Sequence, residues 1–141
     1  MLSIMVMIRR CCLVSLLVLG LAACSSGGAP VPEAEYAAKI VGDWQGTVGD
    51  ENEAISFSSD GKFVSQVRQR GFISNTLGQG VTGTVRGTWV IEGKTITLKI
   101  ESAENERVLN KSTTSAIEAF KPNELVVKSD AGGTSTFVRV L

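Results

Sequence analysis

The chain has 141 residues, 43% of them hydrophobic, and its 14 lysines and arginines balance 14 aspartates and glutamates for a formal net charge of +0. One domain is the expectation at this length, and the balanced charge gives no basic footprint for nucleic acid as a partner. There is no histidine, which excludes imidazole catalysis and imidazole metal ligation.

Met1 to Ala23 has the pattern of a secretory signal. Arg9 and Arg10 supply a positive n-region, and Cys11 to Ala23 is an apolar h-region shorter than the roughly 20 residues that span a bilayer. Leu21-Ala22-Ala23-Cys24 resembles the lipobox of bacterial lipoproteins. The resemblance implies that Cys24 is the lipid attachment site: its sulfur takes a diacylglycerol, acyl chains such as palmitate anchor the protein, and the signal is cut before it. The alternative is ordinary cleavage after Ala23, which leaves a free thiol. Ser25, rather than aspartate, after the cysteine implies sorting to the outer membrane, with the protein facing the periplasm. Cys11 and Cys12 leave with the signal, so Cys24 has no disulfide partner. Loss of Arg9 and Arg10 takes the basic count from 14 to 12 against 14 acidic residues, so no polybasic patch assists the membrane contact and the acyl chains must carry it. Residues 24–35 (CSSGGAPVPEAE) are the lipidated cysteine and a flexible tether, too poor in apolar residues to order themselves.

Residues 36–141 are the folded domain. Tyr36 to Val41 suits one helical turn. From Gly42 onward, short alternating runs are punctuated by turn chemistry. Gly42–Val48 is a first strand with Trp44 and Val48 on one face. Ile55 and Phe57 alternate with Ser56 and Ser58, and Asp60-Gly61 makes a tight turn into Lys62–Arg70. Thr84–Glu92 sets Val85, Trp89 and Ile91 on one face. Thr95–Glu101 sets Ile96, Leu98 and Ile100 inward. Asn105–Phe120 is either one bent strand or two joined near Asn110-Lys111. Glu124–Lys128 and Ser135–Val140 follow, around turns at Pro122-Asn123 and Asp130–Gly133. The fold class is therefore all-β: an up-and-down antiparallel meander of eight or nine strands that closes on itself to remove its edges.

Gly71–Gly83 is long for a hairpin connection and carries Phe72, Ile73, Leu77 and Val81 among its glycines. Long loops in compact domains are often functional. Either the apolar residues form a flap over a cavity mouth, or Phe72 and Ile73 extend the preceding strand into the core. Phe72, Leu77, Val81 and Trp89 are the ligand or loop candidates.

No nucleophile–base pair is available: the folded domain has no S-x-x-K, and its serines lack histidine. The chain is not expected to be an enzyme or to hold a cofactor or metal. Glu51 and Glu53, and the cluster Glu101, Glu104 and Glu106, read as solvated turn charges rather than cation ligands. Gly78-x-Gly80-x-x-Gly83 does not lie between a strand and a helix and is a chance match to a dinucleotide fingerprint.

Gly42-Asp43-Trp44, the Phe57–Phe63 hairpin, Gly87-Thr88-Trp89 with Gly93, Ile96 and Leu98, and the terminal Leu125–Val127 and Phe137–Arg139 runs together resemble the small lipocalin-like domains of bacterial lipoproteins. The resemblance covers Ile40 to Leu141. It implies a lipocalin-like (calycin-type) β-barrel whose first-strand tryptophan, Trp44, packs at the closed end beneath an arginine, Arg139. It also implies a cavity for a small apolar ligand. The expected function is a non-catalytic binding module on an envelope lipoprotein. The alternative is a structural or protein-interaction lipoprotein with a filled barrel and an envelope protein as partner. A connected apolar cavity of roughly 300 Å³ or more separates the first from the second.

Overall fold

The computed structural model describes residues 28–48 and 51–141. Cys24 and the signal-like segment lie outside the described residues. The strands are β1 (Gly42–Val48), β2 (Glu51–Phe57), β3 (Lys62–Val67), β4 (Gly83–Glu92), β5 (Thr95–Ala103), β6 (Ser112–Lys121), β7 (Glu124–Ser129) and β8 (Thr134–Arg139). Each pairs antiparallel with the next, and β1 also pairs with β8, so the meander closes into an eight-stranded barrel. The count is eight, not nine. The ambiguous stretch before β6 is a 3₁₀ turn (Glu106–Val108) and a left-handed Asn110, after which one strand runs to Lys121.

Alternation determines what fills the barrel. Ile55 and Phe57, Phe63 and Val67, Ile96, Leu98 and Ile100, Leu125 and Val127, and Phe137 are all buried. Two bulges reset the pattern where strict alternation would expose an apolar side chain. Glu101 is unpaired between Ile100 and Ser102, and Glu118 between Ile117 and Ala119. The second allows both Ile117 and Phe120 to face inward across an odd spacing. Gly87 sits where the barrel wall bends: a Cβ there would lie 1.8 Å from the Lys99 carbonyl oxygen.

The two ends of the barrel differ. One end carries the turns at 58–61, 93–94 and 122–123 together with α1 (Tyr36–Lys39), and it is closed by aromatic packing of Tyr36 and Trp44 around Phe120, with ring centroids 5.2 and 5.9 Å away. The chain begins to pack earlier than position 36. Val31 is buried and its N–H donates to the Phe120 carbonyl at 2.8 Å, so residues 31–35 belong to the domain rather than to the tether. The opposite end, the mouth, carries the β3–β4, β5–β6 and β7–β8 connections.

The barrel mouth as candidate functional site

The β3–β4 connection contains a helix, α2 (Phe72–Leu77), that the strand-like alternation of its surroundings did not announce. Gly78 ends it at φ 68°, with Gln79 N–H donating to the Ser74 carbonyl and Gly78 N–H to the Asn75 carbonyl, the double bond of a Schellman cap. Ser74 ties the helix down from within. Its Oγ lies 2.6 Å from the Arg68 carbonyl and accepts from Val81 N–H at 3.0 Å.

α2 crosses the mouth and contacts β6. Phe72 points into the barrel and meets Phe137 edge to face at 5.3 Å, and Ile73 is 0% exposed. The barrel interior beneath them is filled. The remaining void is about 10 Å³, lined by Ile55, Phe57, Phe72, Ile96, Leu125, Val127 and Phe137. That is no more than one water could occupy, and its lining offers water no partner. Phe72 and Ile73 are thus core residues, as is Val81, while Leu77 packs partly buried against the same cluster. Trp89 does not join them. It sits at the closed end, packed edge to face on Phe57 at 5.8 Å, with Nε1 donating to the Ser58 carbonyl. Its placement with the mouth candidates is corrected by the topology: the β4 residues near the mouth are those around Val85, not Trp89.

Above the plug lies an open cleft of about 410 Å³ between the β3–β4 connection and the β7–β8 turn, lined by Gln69, Ser74, Asn75, Gln79 and Ser129 with Gly78, Gly80, Ala131 and Gly133. Its lining bears no charge and no aromatic ring. Buried polar atoms cluster at this end. Gln79 Nε2, Thr113 Oγ1 and Ser115 Oγ have no partner among the described residues, and Ser115 is paired across the strands with the cleft residue Ser129. A second open cleft, about 510 Å³, lies at the closed end beside Glu33, Ala34, Ala37, Ile91 and Gly93, without any such cluster.

Glu53, which its place beside a turn marks as a solvated charge, is instead 0% exposed. It falls on the inward face of β2, two residues from Ile55 and four from Phe57. Oε1 accepts from Ser65 Oγ at 3.0 Å, while Oε2 has no hydrogen-bond partner among the described residues. Burial pushes its carboxyl up from 4.5 to about 7, against the opposing pull of the Ser65 hydroxyl, the Phe72 and Ile73 amides and the Arg68 charge. The amides face the carboxylate without reaching full hydrogen-bond geometry.

At the closed end, Arg139 lies opposite Trp44 in the β1–β8 register, its guanidinium carbon 4.2 Å from the indole centroid. Arg139 Nε donates to the Pro122 carbonyl at 2.8 Å, Nη1 to Val41 at 2.9 Å and Nη2 to Lys39. Trp44 is 1% exposed and donates Nε1–H to the Ile40 carbonyl at 2.7 Å. Gly42 makes room for this arrangement: at φ 134° a Cβ would sit 2.5 Å from Arg139 Nη1.

Eight antiparallel strands in sequence order, closed by β1 on β8, decide the architecture. The fold is an eight-stranded up-and-down β-barrel. Among solved structures, a lipocalin-like protein from Bacteroides uniformis is similar to it, with 16% identity and a TM-score of 0.49 over 72% of this chain and 99% of that one. An uncharacterised protein from Bacteroides eggerthii is similar too, at 14% identity and a TM-score of 0.44 over the same shares. No protein-family model matches the chain, and no curated protein matches it. The interior of the barrel is closed. An eight-stranded barrel can hold one small ligand or fill itself with side chains, and this one is filled.

Proposed function

We propose that the protein is a non-catalytic binding module on an envelope lipoprotein, anchored by acyl chains on Cys24, and that it meets its ligand at the mouth rather than inside the barrel. The observation that carries this reading is the pairing of a filled interior with an open, uncharged polar cleft. Amide and hydroxyl groups without charge suit a small neutral ligand rich in hydroxyl or amide groups, such as a sugar. They offer nothing to hold an ion.

Anchoring supports the same reading. The chain enters the barrel at Val31, by the closed end. The seven Cα–Cα steps from Cys24 to Val31 reach at most about 25 Å, so an anchor at Cys24 holds the closed end near the bilayer with the mouth turned away from it. The cleft then samples the periplasm. A second reading, a small apolar ligand inside the barrel, is favoured by the wholly apolar lining of the residual void, and it requires α2 to move.

NMR titration of the purified protein with neutral mono- and disaccharides, and separately with a fatty acid, distinguishes the readings. Shifts confined to 69–80 and 129–133 with a sugar support the cleft. Shifts at Ile96, Leu125 and Phe137 with the fatty acid support the interior. Neither response leaves the structural or protein-interaction role of a filled barrel.

A further inference from the structure

We propose that Glu53 is a pH-operated latch on α2: protonated, it lets the helix seat across the mouth, and ionised, it drives the helix off and opens the way to the barrel interior. Glu53 lies directly beneath the residue that starts the helix. A Cβ on Gly71 would fall 2.0 Å from Glu53 Oε2, so backbone and carboxyl meet with no side chain between them. The next two residues, Phe72 and Ile73, are the ones that seal the barrel. Any movement that gives Oε2 access to water must therefore lift the start of the plug.

The surroundings compensate the charge only in part: the Phe72 and Ile73 amides of α2 face the carboxyl and favour its charged form, but Oε2 makes no hydrogen bond among the described residues. β1 presents Gly46 opposite Glu53, which has no side chain to offer. β3 presents Ser65, whose single hydroxyl already serves Oε1. α2 (FISNTL) carries no titratable group. On its own strand, Glu51 accepts from the Arg70 N–H at 2.9 Å and adds a like charge nearby in sequence. In the connection, Arg68 is the favourable cation, but its Nε donates to the Asn52 carbonyl at 3.3 Å, on the exposed side. Arg70 lies on the same exposed stretch. Oε2 is left without a partner, and a buried unpaired charge is the costliest state a side chain can take. An open α2, by contrast, returns the carboxyl to water.

Because the closed form titrates near 7 and a solvated carboxyl near 4.5, each pH unit between those values biases the helix tenfold towards the open form. The inference does not depend on which ligand the protein takes. It concerns the plug alone.

Amide hydrogen exchange on the purified protein at pH 5 and pH 8, corrected for intrinsic exchange rates, tests it. In the wild type, protection of residues 72–77 and 81 should fall about 50-fold between the two pH values, while Ile96, Leu98 and Ile100 on β5 keep theirs. Glu53→Gln should hold α2 protected at both. Should that variant fold poorly, Ser65→Ala gives an independent reading: it removes a donor to the anion in the closed form, so the fall in α2 protection between pH 5 and pH 8 should be larger than in the wild type. Equal protection at pH 5 and 8 in the wild type would overturn the latch. So would the same pH dependence in Glu53→Gln, an unchanged or smaller fall in Ser65→Ala, or a loss spread evenly through β5.

Discussion

Arg139→Ala tests how the closed end is held. The guanidinium makes three bonds to main-chain carbonyls and covers the indole of Trp44 at 4.2 Å. Two of those bonds lie on the exposed side, where water can replace the donor at little cost. The part-buried bond to Val41 contributes about 1.5 kcal/mol, and the cation–π contact about 1 kcal/mol. The variant should therefore lose about 2–3 kcal/mol. Arg139→Lys keeps the charge but loses the planar fork that reaches several carbonyls at once, and should recover less than half. Trp44→Ala removes a fully buried ring and should cost about 3–5 kcal/mol. The double variant should cost about 1 kcal/mol less than the two losses added, because the contact they share can be lost only once. Urea denaturation with unchanged slope measures all four. A loss under about 1 kcal/mol for Arg139→Ala, or strict additivity with Trp44→Ala, would refute the stacked arrangement.

Stability should also vary with pH through Glu53. Its carboxyl titrates near 7 when folded and at 4.5 when solvated, so between those values the native state holds a proton that the unfolded chain has released. Stability is thus complete below about pH 4.5, falls by about 3 kcal/mol as pH rises to 7, and then levels off; urea denaturation from pH 5 to 8 should show the decline in the wild type and a flat line for Glu53→Gln. Gly87→Ala should unfold the domain or cost several kcal/mol, since its Cβ would overlap the Lys99 carbonyl backbone; a thermal midpoint within a few degrees of wild type would contradict the close approach. Cys24→Ala should abolish acylation and signal removal, read as an unprocessed band without incorporated palmitate.

Much of the barrel was legible because β-strand alternation is a local signal. The tight turn at Asp60-Gly61 and the Ile96–Leu98–Ile100 face needed no tertiary information. What stayed illegible depended on contacts distant in the chain. The bulges at Glu101 and Glu118 are set by register with the neighbouring strand, so the odd spacing of Ile117 and Phe120 looked like a broken pattern. α2 is short, and its lack of a side-chain N-cap removed the usual start signal, although Leu77-Gly78 carried a stop signal. Glu53 was the instructive miss. Its parity with Ile55 and Phe57 placed it on the inner face, but a glutamate beside a turn suggested solvent. The polar cleft was beyond reach because its lining comes from two connections that only barrel closure brings together.

A ligand site at the mouth requires a closed barrel interior. Fluorescence titration at pH 5 with a dansyl-labelled fatty acid asks this directly. The wild type should show no saturable one-to-one binding at micromolar probe, because Phe72 and Ile73 occupy the space a chain would need. Phe72→Ala, with the ring removed from beside Phe137, should begin to bind. Saturable stoichiometric binding by the wild type at that pH would contradict the filled barrel and return the ligand site to its interior.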